Sequence, residues 1–208
     1  MIRYESFQYI FPPRPKNPIQ IKDIGIWDND MMVAQPKMNG SNCTAYLNGQ
    51  NIFLYNRHGQ RMSNFDIDSK EILNLYKGKG WMVLSGEYLN KSKKNELNET
   101  FNHKFCIFDI LVYDGNYLIG KTFQERIELL DGFYGKPENY LSSISQNVFR
   151  IKSYYSDFED LYNSLVGIDM VEGLVLKRKS AKLEVGSTEN NNTKSQIKVR
   201  KKCNLYKY

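Results

Sequence analysis

Two dipeptides set most of what this chain can fold into. Asn48-Gly49 stands between the runs Cys43 to Leu47 and Ile52 to Tyr55, and Asp114-Gly115 stands between Phe105 to Tyr113 and Tyr117 to Ile119. Asn-Gly and Asp-Gly tolerate the positive φ angles of a tight hairpin turn, so each predicts a pair of antiparallel strands. Met31 to Ala34, Trp81 to Leu89, Met170 to Leu176 and Gln196 to Arg200 are further apolar runs of strand length. Helical patterning is confined to residues 66–76 and to two segments that open with capping-box pairs. Thr122 with Glu125 precedes Phe123, Ile127 and Leu130 on one face; Ser156 with Glu159 precedes Phe158, Leu161, Tyr162 and Leu165, with Gly167 as the stop. Residues 1–30 carry Pro12, Pro13, Pro15 and Pro18 and are expected to be irregular. Leu89 to Lys104 and Gly186 to Ser195 read as exposed polar loops. No internal repeat or linker divides the chain, so residues 1–208 are expected to form one α+β domain on antiparallel strands.

Composition excludes several classes. With 41% hydrophobic and 13% aromatic residues the chain can bury a core, so intrinsic disorder is excluded. No apolar run approaches the ~18 residues of a membrane span. Met1 to Pro13 lacks the basic and apolar regions of a secretion signal, so the Asn191-Asn192-Thr193 sequon is read as chance. Cys43, Cys106 and Cys203 are far apart and make neither a metal pair nor a disulfide framework. A reducing, cytoplasmic setting is expected. The net charge of +6 suits a phosphate-rich partner without specifying one.

Five segments combine residues that could do chemistry. Lys37, in Lys37-Met38-Asn39-Gly40, is either a solvated lysine or a nucleophile at a strand end. A free lysine amine with a pKa of ~10.4 is almost fully protonated at neutral pH, so nucleophilic use requires nearby cations or desolvation. Glu87, in Ser85-Gly86-Glu87, either faces out from a half-exposed strand or holds a polar group within. Glu172-Gly173 leads an apolar run ending at Lys177, and an acid pair of this kind could bind a ribose and Mg²⁺. Phe108 lies in a strand apolar enough to be plain core. Strand alternation would put Lys198 and Arg200 on one face, at the start of a basic end running to Lys207.

Taken in order, these segments resemble the covalent nucleotidyltransferase superfamily of ATP-dependent DNA ligases, RNA ligases and mRNA capping enzymes. Lys37-Met38-Asn39-Gly40 resembles the nucleotidyl-lysine motif K-x-(D/H/N)-G, and Arg57-His58-Gly59 the next motif, whose arginine meets phosphate. Ser85-Gly86-Glu87 is similar to (D/F)-G-E, Phe105 to Gly115 to the strand whose aromatic stacks on the base, Glu172 to Lys177 to E-G-x-V-x-K, and Ile197 to Arg200 to the closing K-x-K strand. The resemblance implies an ATP-grasp-like ligase domain of antiparallel sheets flanked by helices, with motifs from 34 to 202 and no room for an OB-fold domain. It also implies Lys37 as nucleophile toward ATP, with Lys198, Arg200 and Lys177 holding the α-phosphate and lowering the pKa of Lys37. Glu172 would hold Mg²⁺ (or Mn²⁺) or position the amine, Glu87 the ribose, Phe108 the adenine, and Arg57 the ribose or an acceptor 5′-phosphate, with Gln35 and Asn39 also at the nucleotide. The implied partner is nucleic acid, as nicked duplex or RNA ends, joined by a monomer. Asn39 stands where DNA ligases and capping enzymes usually carry Asp, and Gly40-Ser41-Asn42 is similar to nick-sealing RNA ligases. RNA ligase is therefore the favoured expectation, DNA ligase the alternative, and a GTP-using capping enzyme the third.

Overall fold

The computed structural model describes residues 2–91 and 93–202; Cys203 and Lys207 lie outside the described residues. In chain order the strands are β1 (Ile2–Arg3), β2 (Arg14–Pro18), β3 (Met32–Met38), β4 (Ser41–Leu47), β5 (Ile52–Tyr55), β6 (Met82–Leu89), β7 (Lys104–Tyr113), β8 (Asn116–Tyr117), β9 (Leu141–Ser143), β10 (Val148–Ile151), β11 (Val171–Arg178) and β12 (Asn192–Arg200). The α-helices are α1 (Ser69–Leu73), α2 (Phe123–Tyr134) and α3 (Phe158–Leu165). They build an α+β fold with two sheets. The larger has the order β1-β8-β7-β6-β4-β5, with β10 and β9 joined to it at β7; the smaller has the order β2-β12-β11-β3. No helix among the described residues is long and apolar enough to cross a membrane.

Both hairpin signals are realised. Asp114 and Gly115 take φ angles of 50° and 69° between Tyr113 and Asn116, which face each other across β7 and β8. Positive φ at both turn residues matches the right-handed twist of the strands. The Asp114 carboxylate accepts the Lys79 and Gly80 N–H groups, which hold its pKa below the usual range. Gly49 takes φ 85° between β4 and β5.

Elsewhere the structure departs from expectation. The proline-rich start is not wholly irregular: Arg14–Pro18 pairs parallel to β12 at the sheet edge, where proline's missing N–H costs no ladder bond. β10 also runs parallel to its neighbour β7, so neither sheet is purely antiparallel. The helix expected over 66–76 shrinks to Ser69–Leu73, capped by Asp68. The Thr122–Glu125 capping box forms as expected. The Ser156–Glu159 box does not: Asp157 is the N-cap residue, and Asp28 takes the Phe158 N–H at 2.9 Å. A carboxylate brought by the fold from 130 positions away has displaced the local serine.

Among the described residues, two of three apolar clusters pack a helix against a sheet. One packs α3 (Phe158, Leu161, Leu165) against Leu174, Leu176, Ile197 and Val199 of the smaller sheet. The other packs α2 (Phe123, Ile127, Leu130) against Leu84, Ile107 and Ile110 of the larger. At the ~25 cal/mol per Å² that apolar burial supplies, these cores are the main stabilising term. They also fix the two walls between which the polar residues collect.

Candidate active site

The chain passes from one sheet to the other at Lys37-Met38-Asn39-Gly40, since β3 belongs to the smaller sheet and β4 to the larger. At Gly40 a Cβ would lie 2.5 Å from the Tyr88 carbonyl oxygen and 2.8 Å from Leu89 Cδ2, so only glycine lets the chain cross there. Asn39 donates its N–H to the Met170 carbonyl at 2.9 Å, tying the crossing to the start of β11. Lys37 is thereby left at the seam between the sheets.

A β-bulge brings it a partner. Along β11 the register with β3 runs Val171 to Met38 and then Gly173 to Lys37, leaving Glu172 as the extra residue. A bulge re-aims the side chain that it carries. Glu172 Oε2 accepts from Lys37 Nζ at 2.5 Å, and Oε1 pairs with Arg200 Nε at 2.7 Å. Gly173 takes φ 145°, and a Cβ on it would fall 1.9 Å from the Val199 carbonyl oxygen, so β12 presses against β11 where the bulge bends it. On β12, Lys198 and Arg200 lie on one face, while Ile197 and Val199 enter the core. Burial, together with Arg200 and Lys37, holds the Lys198 ammonium below its ordinary pKa. On the other wall, burial pushes Glu87 up to about 7; Glu172 adds to this, while Lys37, the Gly40 N–H and Arg57 oppose it.

A second bulge shapes the other end. The register of β6 on β7 runs Ser85 to Asp109 and then Gly86 to Ile107, leaving Phe108 as the extra residue. Phe108 is half-buried in an otherwise buried stretch. Beside it, Asp109 takes a two-pronged contact from Arg126 of α2 at 2.8 and 2.9 Å, with both side chains buried. That pair locks the helix to the strand behind Phe108. Lys177 Nζ lies 4.7 Å from the Phe108 ring centroid and 4.6 Å from that of Phe123. Burial brings Lys177 down to about 8, with Arg126 adding to the shift and Asp109 opposing it. Lys177 faces Val33 while Gly173 faces Lys37. Four strand residues, roughly 13 Å, thus separate their levels. This places Lys177 at the Phe108 end of the cleft, not beside the Lys37–Glu172–Arg200 cluster as the resemblance implies. Gln35 spans the two sheets, donating to Ser153 Oγ at 3.0 Å and to the Phe108 carbonyl at 3.4 Å. Its Oε1 is buried with no hydrogen-bond partner among the described residues.

Together these residues line an open cleft of about 770 Å³. Every residue singled out from the sequence is on its wall: Gln35, Lys37, Asn39, Arg57, Glu87, Phe108, Glu172, Lys177, Lys198 and Arg200. Arg14, Asn42, His58 and Ile151 also line it, and the sequence does not single them out as site residues. Arg14 falls in a stretch that reads as irregular, and no pattern in the sequence marks it. Such a cleft suits a nucleotide: apolar and aromatic at one end, cationic at the other, with an unsatisfied acceptor near the aromatic ring. Among the described residues no three His, Cys, Asp or Glu side chains gather as a ready metal cage. Glu172 and Glu87 fit the sparser need of Mg²⁺, which takes one or two carboxylates and completes its shell with water and substrate phosphates.

Several solved structures share this fold. The mycobacterial DNA ligase D complexed with ATP and MES is 14% identical with a TM-score of 0.62, the match covering 93% of this chain and 62% of that one. The ligase domain from M. tuberculosis LigD is 14% identical with a TM-score of 0.58, covering 92% and 60%. A structure from the Lig E DNA ligases, described as DNA binding with a minimal scaffold, is 18% identical with a TM-score of 0.52, covering 85% and 65%. The chain thus spans about three fifths of the length of these structures, and shares their fold. No curated protein sequence matches it. The family model described as the ATP dependent DNA ligase domain matches residues 83–196, over half of the chain and including Glu87, Phe108, Glu172 and Lys177, and the chain therefore belongs to the ATP-dependent DNA ligase domain family.

Proposed function

We propose that residues 1–208 are one nucleotidyltransferase domain of an ATP-dependent polynucleotide ligase that seals nicked DNA. The observation that carries this reading is the Lys37–Glu172–Arg200 cluster, with Lys198 two residues before Arg200 on the same face of β12. A primary amine is held at 2.5 Å by a carboxylate that itself pairs with a guanidinium at 2.7 Å. In this reading the Lys37 amine attacks the α-phosphorus of ATP. A P–N bond forms, the bond to the β-phosphate oxygen breaks, pyrophosphate leaves, and Glu172 takes up the amine proton. The AMP then passes to the 5′-phosphate of a strand, and a neighbouring 3′-OH displaces it to close the chain. Negative charge grows on phosphoryl oxygens at each step. Lys198 and Arg200 are fixed cations beside that charge, in a site that needs little reorganisation. When bound, Mg²⁺ would add charge neutralisation, held by Glu172 or Glu87. Phe108 offers its ring to the adenine, and Gln35 Oε1 offers an acceptor to the adenine amine. Glu87 is placed for the ribose hydroxyls; with its pKa near 7 it can donate as well as accept there.

DNA is preferred here over RNA because the matching family model and the structures described above are of DNA ligases. Asn39 and Gly40-Ser41-Asn42 favour the RNA reading, and all four residues line the cleft. Buried, free Cys43 and Cys106 suit the reducing cytoplasm in which this reading places the protein, as a monomer. Sealing of matched nicks in DNA, RNA and hybrid duplexes tests the choice. Preferred sealing of the all-DNA nick supports the proposal, and preferred sealing of nicked RNA replaces it with the RNA reading.

A further inference from the structure

At the mouth of the cleft two arginines, Arg57 and Arg14, are held through one residue. Arg57 sits in a turn that leaves its backbone little freedom. Asn56 Oδ1 accepts the N–H groups of His58 at 2.9 Å and Gln60 at 3.1 Å, and the Asn56 carbonyl accepts from Gly59 N–H at 3.1 Å and from Tyr9 Oη at 2.7 Å. The side chain is fixed next. Arg57 Nε donates to His58 Nε2 at 2.9 Å. A guanidinium can only donate, so Nε2 is the bare nitrogen of the ring and Nδ1 carries the proton. Nδ1 lies 2.5 Å from Glu189 Oε1 and donates to it. The result is a relay from Glu189 through His58 to Arg57. The same Glu189 takes Arg14 on its main-chain carbonyl, through Nη2.

The chain on either side of Glu189 is tied down at Gly186 and Asn191. The Gly186 carbonyl accepts the Phe11 N–H at 2.9 Å, and Gly186 N–H donates to Tyr117 Oη at 3.1 Å. Asn191 Nδ2 donates to the Phe11 carbonyl at 2.7 Å, and its own carbonyl accepts the Arg14 N–H at 3.0 Å. Arg14, Arg57 and His58 line the cleft together, and Arg14 is near enough to Lys198 to weigh against that lysine's proton. Each arginine spends one of its five N–H donors on this scaffold in the bonds above, and each remains a planar fork suited to a phosphate.

We propose that Glu189 is a positioning residue that aims two arginines, Arg57 through His58 and Arg14 through its carbonyl, at a phosphate group in the mouth of the cleft. The proposal rests on the ligase reading, and adds Arg14, His58 and Glu189 to it. The phosphate comes either from the outer phosphates of ATP or from the acceptor strand's 5′ end, and both present anionic phosphoryl oxygens that two guanidinium forks would hold alike.

The experiment measures two single-turnover rates on the full chain: Lys37 labelling from α-labelled ATP, and AMP transfer from preformed adenylate to a 5′-phosphorylated nicked duplex. Glu189→Ala and Arg14→Ala are each expected to slow at least one step about 10-fold, below the ~100-fold that a 1 Å misplacement can cost. Glu189→Gln keeps an acceptor for the His58 N–H and should hold most of the rate. Because Glu189 acts on Arg57 through His58, Glu189→Ala should add little to Arg57→Ala in a double-mutant cycle. A loss in labelling assigns the clamp to the leaving pyrophosphate, and a loss in transfer assigns it to the acceptor phosphate; either supports the proposal. Rates within about twofold of wild type for Glu189→Ala and Arg14→Ala in both steps overturn it, as do fully additive effects of Glu189→Ala and Arg57→Ala. A wild-type chain that takes no label overturns the ligase reading, and the clamp with it.

Discussion

Replacing Gly173 by alanine would set a Cβ 1.9 Å from the Val199 carbonyl oxygen and 2.9 Å from its carbon. Both atoms are backbone in a strand that cannot swing aside like a side chain. To reach an ordinary contact β12 would have to retreat by about 1 Å, or the bulge at Glu172 would have to flatten. Overpacking of this kind costs about 1–3 kcal/mol. Holding a non-glycine residue at φ 145° costs roughly another 1–3 kcal/mol. The expected loss is thus about 4 kcal/mol, which for a chain of this size lowers Tm by roughly 8–16 °C. Urea denaturation should show a lower midpoint at an unchanged m-value. Lys198 and Arg200 ride on the displaced strand, so Lys37 labelling should fall by about 100-fold, the scale of a 1 Å misplacement. Gly132 is the control: it is exposed in α2 and nothing lies within 4 Å of where its Cβ would stand, so Gly132→Ala should stabilise by about 0.5–1 kcal/mol and leave labelling alone. A Gly173→Ala protein within about 1 kcal/mol of wild type and labelling normally would refute the close approach of β12 to the bulge.

Three further outcomes follow from the site. Glu87 has its carboxyl raised from 4.5 to about 7 in the folded chain, so its contribution to stability is fully present below pH 4.5 and is lost as pH rises through 7. Wild type should therefore lose up to about 3 kcal/mol relative to Glu87→Gln between pH 5 and 8, read by urea titration at each pH; parallel curves would contradict this. Arg126→Met leaves Asp109 buried without its two-pronged partner and should cost about 3–5 kcal/mol, with a raised KM for ATP as Phe108 loosens; an unchanged Tm would show that the pair holds nothing. Lys198→Ala and Arg200→Ala should each slow labelling at least ~100-fold, whereas Arg200→Lys keeps the charge opposite Glu172 and should retain substantial activity in the same assay.

The sequence motifs locate the chemistry well because each is short and local. Lys37-Met38-Asn39-Gly40 needs one lysine and one glycine at fixed spacing, and the crossing between sheets needs that same glycine. The Glu172-Gly173 pair is legible for the same reason: the glycine permits the approach of β12 that lets the bulge form. Bulges themselves are not legible. Nothing within Phe105 to Tyr113 distinguishes Phe108 from its apolar neighbours; the slip of register that turns it into the cleft is a property of how β6 pairs with β7. Lys177 stands elsewhere along the cleft than its motif suggests because strand register, not motif order, decides which end a side chain reaches. Long-range partners are equally invisible: Asp28 capping α3, and Glu189 meeting His58 across 131 positions, are contacts that no local pattern encodes. Arg14 escapes notice because prolines argue against a strand interior but not against an edge strand.

Whether Lys37 is the nucleophile is decided most directly by mass analysis of the protein after incubation with ATP and Mg²⁺. A covalent addition of one AMP is expected, mapped by peptide sequencing to Lys37, reversed by pyrophosphate and absent from Lys37→Ala. An AMP adduct mapped to another residue, or one that persists at wild-type level in Lys37→Ala, would contradict the assignment of Lys37.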